Sequence, residues 1–150
     1  MSAIDVAGLT ARVGEEIGVS DWFQITQDRV DAFANATLDH QWIHQAGPRA
    51  DAGPFGGPIA HGYLTLSLLP HLMGSLPALV EDRRLAVNYG LDRARFITPV
   101  RVGSRVRARA VLAAVEPIEG GVQVKIAVTV ELEGSPRPAA AVETLTRLYG

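Results

Sequence analysis

Apolar residues recur at every second position over one long stretch near the C-terminus. Val122, Val124, Ile126, Val128, Val130 and Leu132 stand against Gln123, Lys125, Ala127, Thr129, Glu131 and Glu133. A period of two predicts a half-buried strand with one wet face. Val102, Val106, Ala108, Ala110 and Leu112 repeat the pattern upstream, opposite Arg105, Arg107 and Arg109. Glu119-Gly120-Gly121 between the two runs is a hairpin signal. Ala139 to Tyr149 reads as a closing strand, and Leu85 to Tyr89 as a short earlier one.

The first half follows a different period. Thr26 followed by QDRVDAFANAT predicts an N-capped helix whose apolar stripe is Val30, Phe33 and Ala34. From Asp39 to Pro58 the glycine–proline punctuation predicts loop. IAHGYLTLSLLPHLMGSLPALV then reads as a helix apolar nearly all round, through Tyr63, Leu64, Leu66, Leu68, Leu69 and Leu72. Such a helix is buried on most sides, and Pro70 should kink or interrupt it. Helices first and antiparallel strands afterwards predict an α+β fold, a sheet wrapped round one buried helix.

Composition changes this picture little. The chain has 150 residues, 47% of them hydrophobic, which suits one domain over 1–150 with a real core. A formal net charge of −2 gives no general attraction to nucleic acid or to an anionic membrane. The chain has no cysteine, which removes disulfides, thiolate nucleophiles and cysteine-based zinc sites. The N-terminal stretch lacks the apolar core of a signal peptide, so a cytoplasmic location is expected. Between Ala52 and Val80 there is no charged residue, but Gly56, Gly57, Pro58, His61, Pro70, His71 and Pro77 interrupt the run. A helix buried in a soluble fold is the better reading than a membrane span.

Two segments hold candidate chemistry. The first is DHQWIH, Asp39 to His44. His40 and His44 are spaced like a helical metal pair, but Gln41 stands where a zinc protease has its glutamate and no third ligand is placed nearby. Asp39 and His44 can instead share a cleft as an acid–base pair. The plain alternative is that Asp39 caps a turn and His44 is a polar loop residue. The second segment is GGPIAHGYL. Gly62 opens the buried helix, where backbone N–H groups lack partners and no Cβ blocks approach. An oxyanion hole and simple close packing both account for that glycine.

Taken together, DHQWIH and GPFGGPIAHGYLTLSLLP resemble the MaoC-like dehydratases, the (R)-specific enoyl-thioester hydratases, and among them the NodN-like branch. The resemblance runs from about Val13 to Tyr149 and includes NYGLDRARFITPVRVGSRVRA. It implies the hot-dog fold. The family motif Asp-x-Asn-Pro-Leu/Ile-His puts the catalytic pair on Asp39 and His44, the supporting amide on Gln41 and the oxyanion glycine on Gly62. Gln41 in place of Asn and Trp42 in place of Pro depart from that motif. The helix serine of some members falls on Pro70, so its role is not carried over.

The resemblance implies reversible syn addition of water to a trans-2-enoyl thioester of coenzyme A or an acyl carrier protein. It implies no metal and no organic cofactor, and a homodimer with the site near the interface. A hot-dog thioesterase and a non-catalytic acyl-thioester binding protein are the alternatives. The first is disfavoured because Ala60 to Val80 carries no carboxylate.

The remaining conspicuous residues have plainer readings. His71 reads as a packing histidine. The stripe Arg101, Arg105, Arg107 and Arg109 reads as a solvated face or a phosphate contact. Asn88, Arg93 and Arg95 are candidates to line the cleft, and Phe55, Tyr63 and Trp42 to wall an acyl tunnel.

Overall fold

The computed structural model describes residues 4–150. In chain order the elements are α1 (Val6–Ala11), β1 (Glu16–Val19), β2 (Phe23–Gln24), α2 (Gln27–Thr37), α3 (Pro48–Asp51), α4 (Gly62–Ser67), α5 (Leu69–Met73), β3 (Leu85–Phe96), β4 (Arg105–Ile118), β5 (Gly121–Leu132) and β6 (Ala140–Tyr149). A 3₁₀ turn, Trp42–His44, lies in the loop after α2. The strands form one antiparallel sheet in the order β1-β4-β5-β6-β3, with β2 also paired to β4.

The alternating runs become β4 and β5. One face of each strand is buried: Val106, Ala108, Ala110 and Leu112 on β4, and Val122, Val124, Val128 and Val130 on β5. Leu64, Leu68, Leu69 and Leu72 pack against these residues in one core cluster. The β4–β5 turn pairs Ile118 with Gly121, and Gly120 takes the φ of 77° that this tight reversal needs.

The central helix is interrupted at Pro70, as the sequence predicts. It is two short helices, α4 and α5, meeting at Leu68, with Pro70 in the first turn of α5. Proline lacks an N–H, and a helix start is where that loss costs least. The pair's burial is less complete than the expected burial on most sides. Leu64, Leu68, Leu69 and Leu72 face the sheet, while Tyr63, Ser67, Pro70 and His71 are exposed.

The strand predicted over Leu85 to Tyr89 is longer, running to Phe96 along the sheet edge beside β6. Register shifts between Asn88 and Gly90 and between Leu91 and Arg93 break its period of two. α1, β1, β2 and α3 are not predicted; α3 and the 3₁₀ turn are short turns of helix within the Asp39–Pro58 stretch that reads as loop.

The arginine stripe is a structural face. Arg107 lies opposite Glu131 across β4–β5 and bonds it at 2.7 Å. Arg105 binds Glu133, and Arg109 bridges Glu131 and Glu16. Each of these guanidiniums is paired with a carboxylate on the sheet face, which is the solvated-face reading of the stripe. Arg101 instead donates to the Gly56 carbonyl at 2.9 Å and braces the loop before α4. No helix among the described residues is long and apolar enough to cross a membrane.

Candidate active site

α2 is capped at its start by the Thr26 side chain, which accepts from Arg29 N–H. It ends at Leu38, the one described non-glycine residue with positive φ, 64°. A left-handed residue there turns the chain sharply out of the helix. The next residue is Asp39. Its carboxylate accepts from Gln41 N–H at 3.3 Å, which sets the turn leading into Trp42–His44. Gln27, in the first turn of α2, donates to the His44 carbonyl at 3.0 Å and ties the two ends of this segment together.

His44 is buried, at 6% exposure. Its Nδ1 lies 2.7 Å from the carbonyl oxygen of Ile59. A carbonyl only accepts, so Nδ1 carries the hydrogen and Nε2 of the neutral ring presents a lone pair. Burial pushes the His44 pKa below its ordinary value, and the neighbouring His61 ring acts in the same sense. The Ile59 hydrogen bond and the Asp39 carboxylate oppose the shift without cancelling it. His44 is therefore neutral and accepting near pH 7.

A third side chain completes the cluster. His61, the residue before Gly62, is 2% exposed and stacks on His44 with ring centroids 3.7 Å apart and planes at 22°. Its Nε2 lies 3.1 Å from the Asp39 carbonyl oxygen and 3.9 Å from the Asp39 carboxylate. Asp39, His44 and His61 each bring one ligand-type atom within 4.8 Å of the others. Near-parallel rings aim their in-plane lone pairs alongside each other rather than at one point. That is a poor cradle for a metal ion, whose ligands must converge on it. The same spacing suits water. A molecule hydrogen-bonded to two acceptors at about 2.8 Å separates them by roughly 4.5 Å.

The sequence-predicted residues divide as follows. Asp39 and His44 are brought together. His40 is exposed, and among the described residues its carbonyl accepts from the Gln45 amide. Gln41 is exposed and contributes its backbone N–H; its amide makes no hydrogen bond among the described residues. Gly62 is the first residue of α4. A Cβ there would lie 2.8 Å from the Phe96 ring, so this position is closely packed against β3. His71 packs edge-on against Phe23, as a packing histidine does. Tyr63 is exposed, and Trp42 is half-buried under the Arg49 guanidinium. Asn88 lines an apolar cleft of about 230 Å³ with Met73, Leu76, Leu79 and Leu148, whereas Arg93 and Arg95 lie exposed along β3. None of Asp39, His44 and Gly62 lines that cleft.

Sequence reasoning missed His61 and the Ile59 carbonyl. Both lie in the segment already singled out, but their partners are 22 and 15 residues away. The signal present was a histidine immediately before the helix-opening glycine.

A model of the MaoC like domain matches residues 9–134. The chain belongs to the MaoC-like dehydratase family. The match runs from within α1 to just past β5 and includes the whole cluster around His44. This MaoC-like chain is 52% identical over 143 residues to 3-hydroxyacyl-thioester dehydratase Z of Mycobacterium tuberculosis, covering 95% of this chain and 94% of that protein. It is 43% identical over 148 residues to nodulation protein N of Rhizobium leguminosarum bv. viciae, covering 97% and 92%. The fold superposes on the (R)-hydratase from A. caviae with a TM-score of 0.73, at 24% identity over 91% of this chain and 96% of that one. The α+β hot-dog architecture is thus the family's own.

Proposed function

We propose that this MaoC-like protein is a 3-hydroxyacyl-thioester dehydratase, equivalently an (R)-specific enoyl-thioester hydratase working through Asp39 and His44. The observation that carries this reading is the pairing of two acceptors. A ring nitrogen of His44 and a carboxylate oxygen of Asp39 lie within 4.8 Å of each other, a spacing that one water can bridge, and with Nδ1 taken by the Ile59 carbonyl the nitrogen left to accept is Nε2. The 52% identity to 3-hydroxyacyl-thioester dehydratase Z over nearly the whole of both chains supports the choice of substrate class.

In the hydration direction the water oxygen attacks C3 of the enoyl thioester while the pair removes one of its protons. Electron density moves through C2 to the thioester oxygen, and a proton is then delivered to C2 on the same face. Neutral His44 holds no proton on Nε2, so the proton given to C2 is the one the pair has just taken. The two groups therefore act as one proton reservoir rather than as a fixed base and a fixed acid. Gly62 N–H, at the first position of α4, is the donor assigned to the thioester oxygen. Gln41 supports the pair through its backbone N–H on Asp39. The chemistry needs only proton transfer and oxyanion stabilisation, so neither a metal nor an organic cofactor has a step to perform. Coenzyme A or an acyl carrier protein enters as the substrate's carrier, which fits a cytoplasmic pool of thioesters.

The working unit is proposed to be a homodimer. β3 is a long edge strand and presents Leu85, Val87, Tyr89, Leu91 and Phe96 to solvent. An exposed apolar edge of this length is a template for pairing. A second copy of the chain matches it by symmetry.

Hydration of crotonyl-CoA, followed as loss of the enoyl absorbance, tests the proposal. Asp39→Asn and His44→Ala should each lower kcat by about 10²–10⁴-fold, the range for a lost general acid–base group. Circular dichroism and the oligomeric state should stay native. Full activity in both variants would remove the dyad, and free thiol release without hydration would identify a thioesterase.

A further inference from the structure

His61 is the residue whose surroundings the reaction scheme does not yet use. It is almost fully buried, and its ring lies between two others: His44 stacked at 3.7 Å, and Phe33 tilted at 4.9 Å. Nε2 meets the Asp39 carbonyl oxygen at 3.1 Å. Nδ1 is buried and has no hydrogen-bond partner among the described residues. A buried polar atom left unpaired is costly, and native structures rarely keep one without a reason. A phenyl ring would stack between Phe33 and His44 without that cost. The imidazole must therefore be retained for what Nε2 does.

A carbonyl accepts only, so Nε2 carries the hydrogen and the unpaired Nδ1 is the bare nitrogen. That tautomer leaves a lone pair unpaired rather than an N–H. The bond fixes the backbone of Asp39 just where the chain leaves α2 through the left-handed Leu38. The ring face sets the plane in which His44 can sit. The main chain of His61 completes the arrangement: its carbonyl accepts from Leu64 N–H at 3.0 Å and Thr65 N–H at 3.2 Å, opening α4. Gly62 is the next residue. One side chain and one peptide thus join Asp39, His44 and the helix start that carries Gly62.

We infer that His61 is a positioning residue: its Nε2–H on the Asp39 carbonyl and its ring face on His44 hold the two acceptors at water-bridging distance. The inference rests on the dehydratase reading. His61 acts through Asp39 and His44 and does not exchange protons with substrate.

The test is steady-state hydration of crotonyl-CoA by the full-length chain. His61→Phe keeps the stacked shape and removes the donor. Its kcat should fall at least tenfold, with KM within about twofold of native. His61→Gln puts an N–H close to the Nε2 position and should recover most of the loss. In an Asp39→Asn background His61→Phe should cost almost nothing further, because the group it positions is already disabled. ¹⁵N NMR of the native protein needs no variant. It should report His61 protonated at Nε2 and His44 protonated at Nδ1, whether or not His61→Phe folds.

Native kcat in His61→Phe overturns the inference. So does a loss carried by KM, a His61→Gln variant as slow as His61→Phe, or the opposite His61 tautomer. Those results leave the dehydratase reading intact. Full activity in Asp39→Asn and His44→Ala would instead remove that reading.

Discussion

The inner face of the sheet and the corner around His44 are both buried, but they are built on opposite terms. The sheet face is a run of aliphatic side chains, Val106, Ala108, Ala110, Leu112, Val122, Val124 and Val130, almost wholly excluded from solvent. Its polar groups are backbone and are paired in the ladders. The corner holds two imidazoles in face-to-face contact, a half-exposed carboxylate, a buried nitrogen with no partner among the described residues and a left-handed leucine. The first region gains free energy from every residue. The second carries costs that only function explains, and it persists because the first stabilises the whole.

The sharpest way to break this contrast is to damage the stable region. Leu69 is among the largest fully buried side chains and sits where α5 meets the sheet. Leu69→Ala should cost about 2–5 kcal/mol of stability, from lost transfer energy and the cavity left behind. Thermal or urea unfolding reads the loss. Activity per folded molecule, measured well below the melting temperature, should remain near native. Equal losses of stability and specific activity would mean the two regions are not separable.

The converse change belongs to the corner. Gly62→Ala adds a Cβ 2.8 Å from the Phe96 ring, so either the ring or the start of α4 must move. A shift of about 1 Å in a positioning element can cost on the order of 10²-fold in rate. The expected result is a fall of that order in kcat with little change in unfolding midpoint. Phe96→Ala, which vacates the space, should restore part of it. A Gly62→Ala enzyme with native kcat would mean that close approach at this helix start plays no part in turnover.

What could be read in the sequence follows the same division. β4, β5 and β6 were legible because one wet face and one dry face force a period of two over many residues. α2 was legible from its cap and apolar stripe. β3 was legible only up to Tyr89, because its register shifts break the period just beyond. α1, β1 and β2 are too short to display any period. In the central helix the break at Pro70 was legible because proline lacks an N–H, but burial on most sides was too much to expect, since Tyr63, Ser67, Pro70 and His71 face outward; apolar composition alone does not say which side of a helix the sheet covers. Asp39, His44 and Gly62 came from paired motifs. His61 did not, because the local signal, a histidine before the helix-opening glycine, does not name a partner 22 residues away.

Acidity offers a milder probe of the contrast. The burial that lowers the His44 pKa means its charged form is disfavoured in the folded state. Between the folded value and the ordinary value near 6.5, the unfolded chain binds more protons than the native one. The stability His44 contributes is therefore fully present above about pH 6.5 and is lost as the pH falls toward the lower folded value. Activity should follow the folded value, with an acid limb in kcat/KM below pH 6.5 that His44→Ala abolishes along with most of the rate. An acid limb at or above 6.5 would contradict the buried, neutral His44.

The smallest expected effect sits at Leu38, where the two regions meet. Its φ of 64° is costly for a residue with a Cβ, by roughly 1 kcal/mol, and its side chain is 78% exposed, so little packing offsets the cost. Glycine adopts this conformation without strain but loses more freedom on folding. Leu38→Gly should therefore raise stability only slightly, by a few tenths of a kcal/mol to about 1 kcal/mol. The informative readout is kcat. Leu38 directly precedes Asp39, whose carbonyl His61 holds and whose carboxylate faces His44. If the stiff leucine aims that carboxylate, Leu38→Gly should be more stable and somewhat slower, with KM unchanged. A variant both more stable and equally fast would show that the strain at the end of α2 is incidental, and that the costs of the corner begin at Asp39 rather than before it.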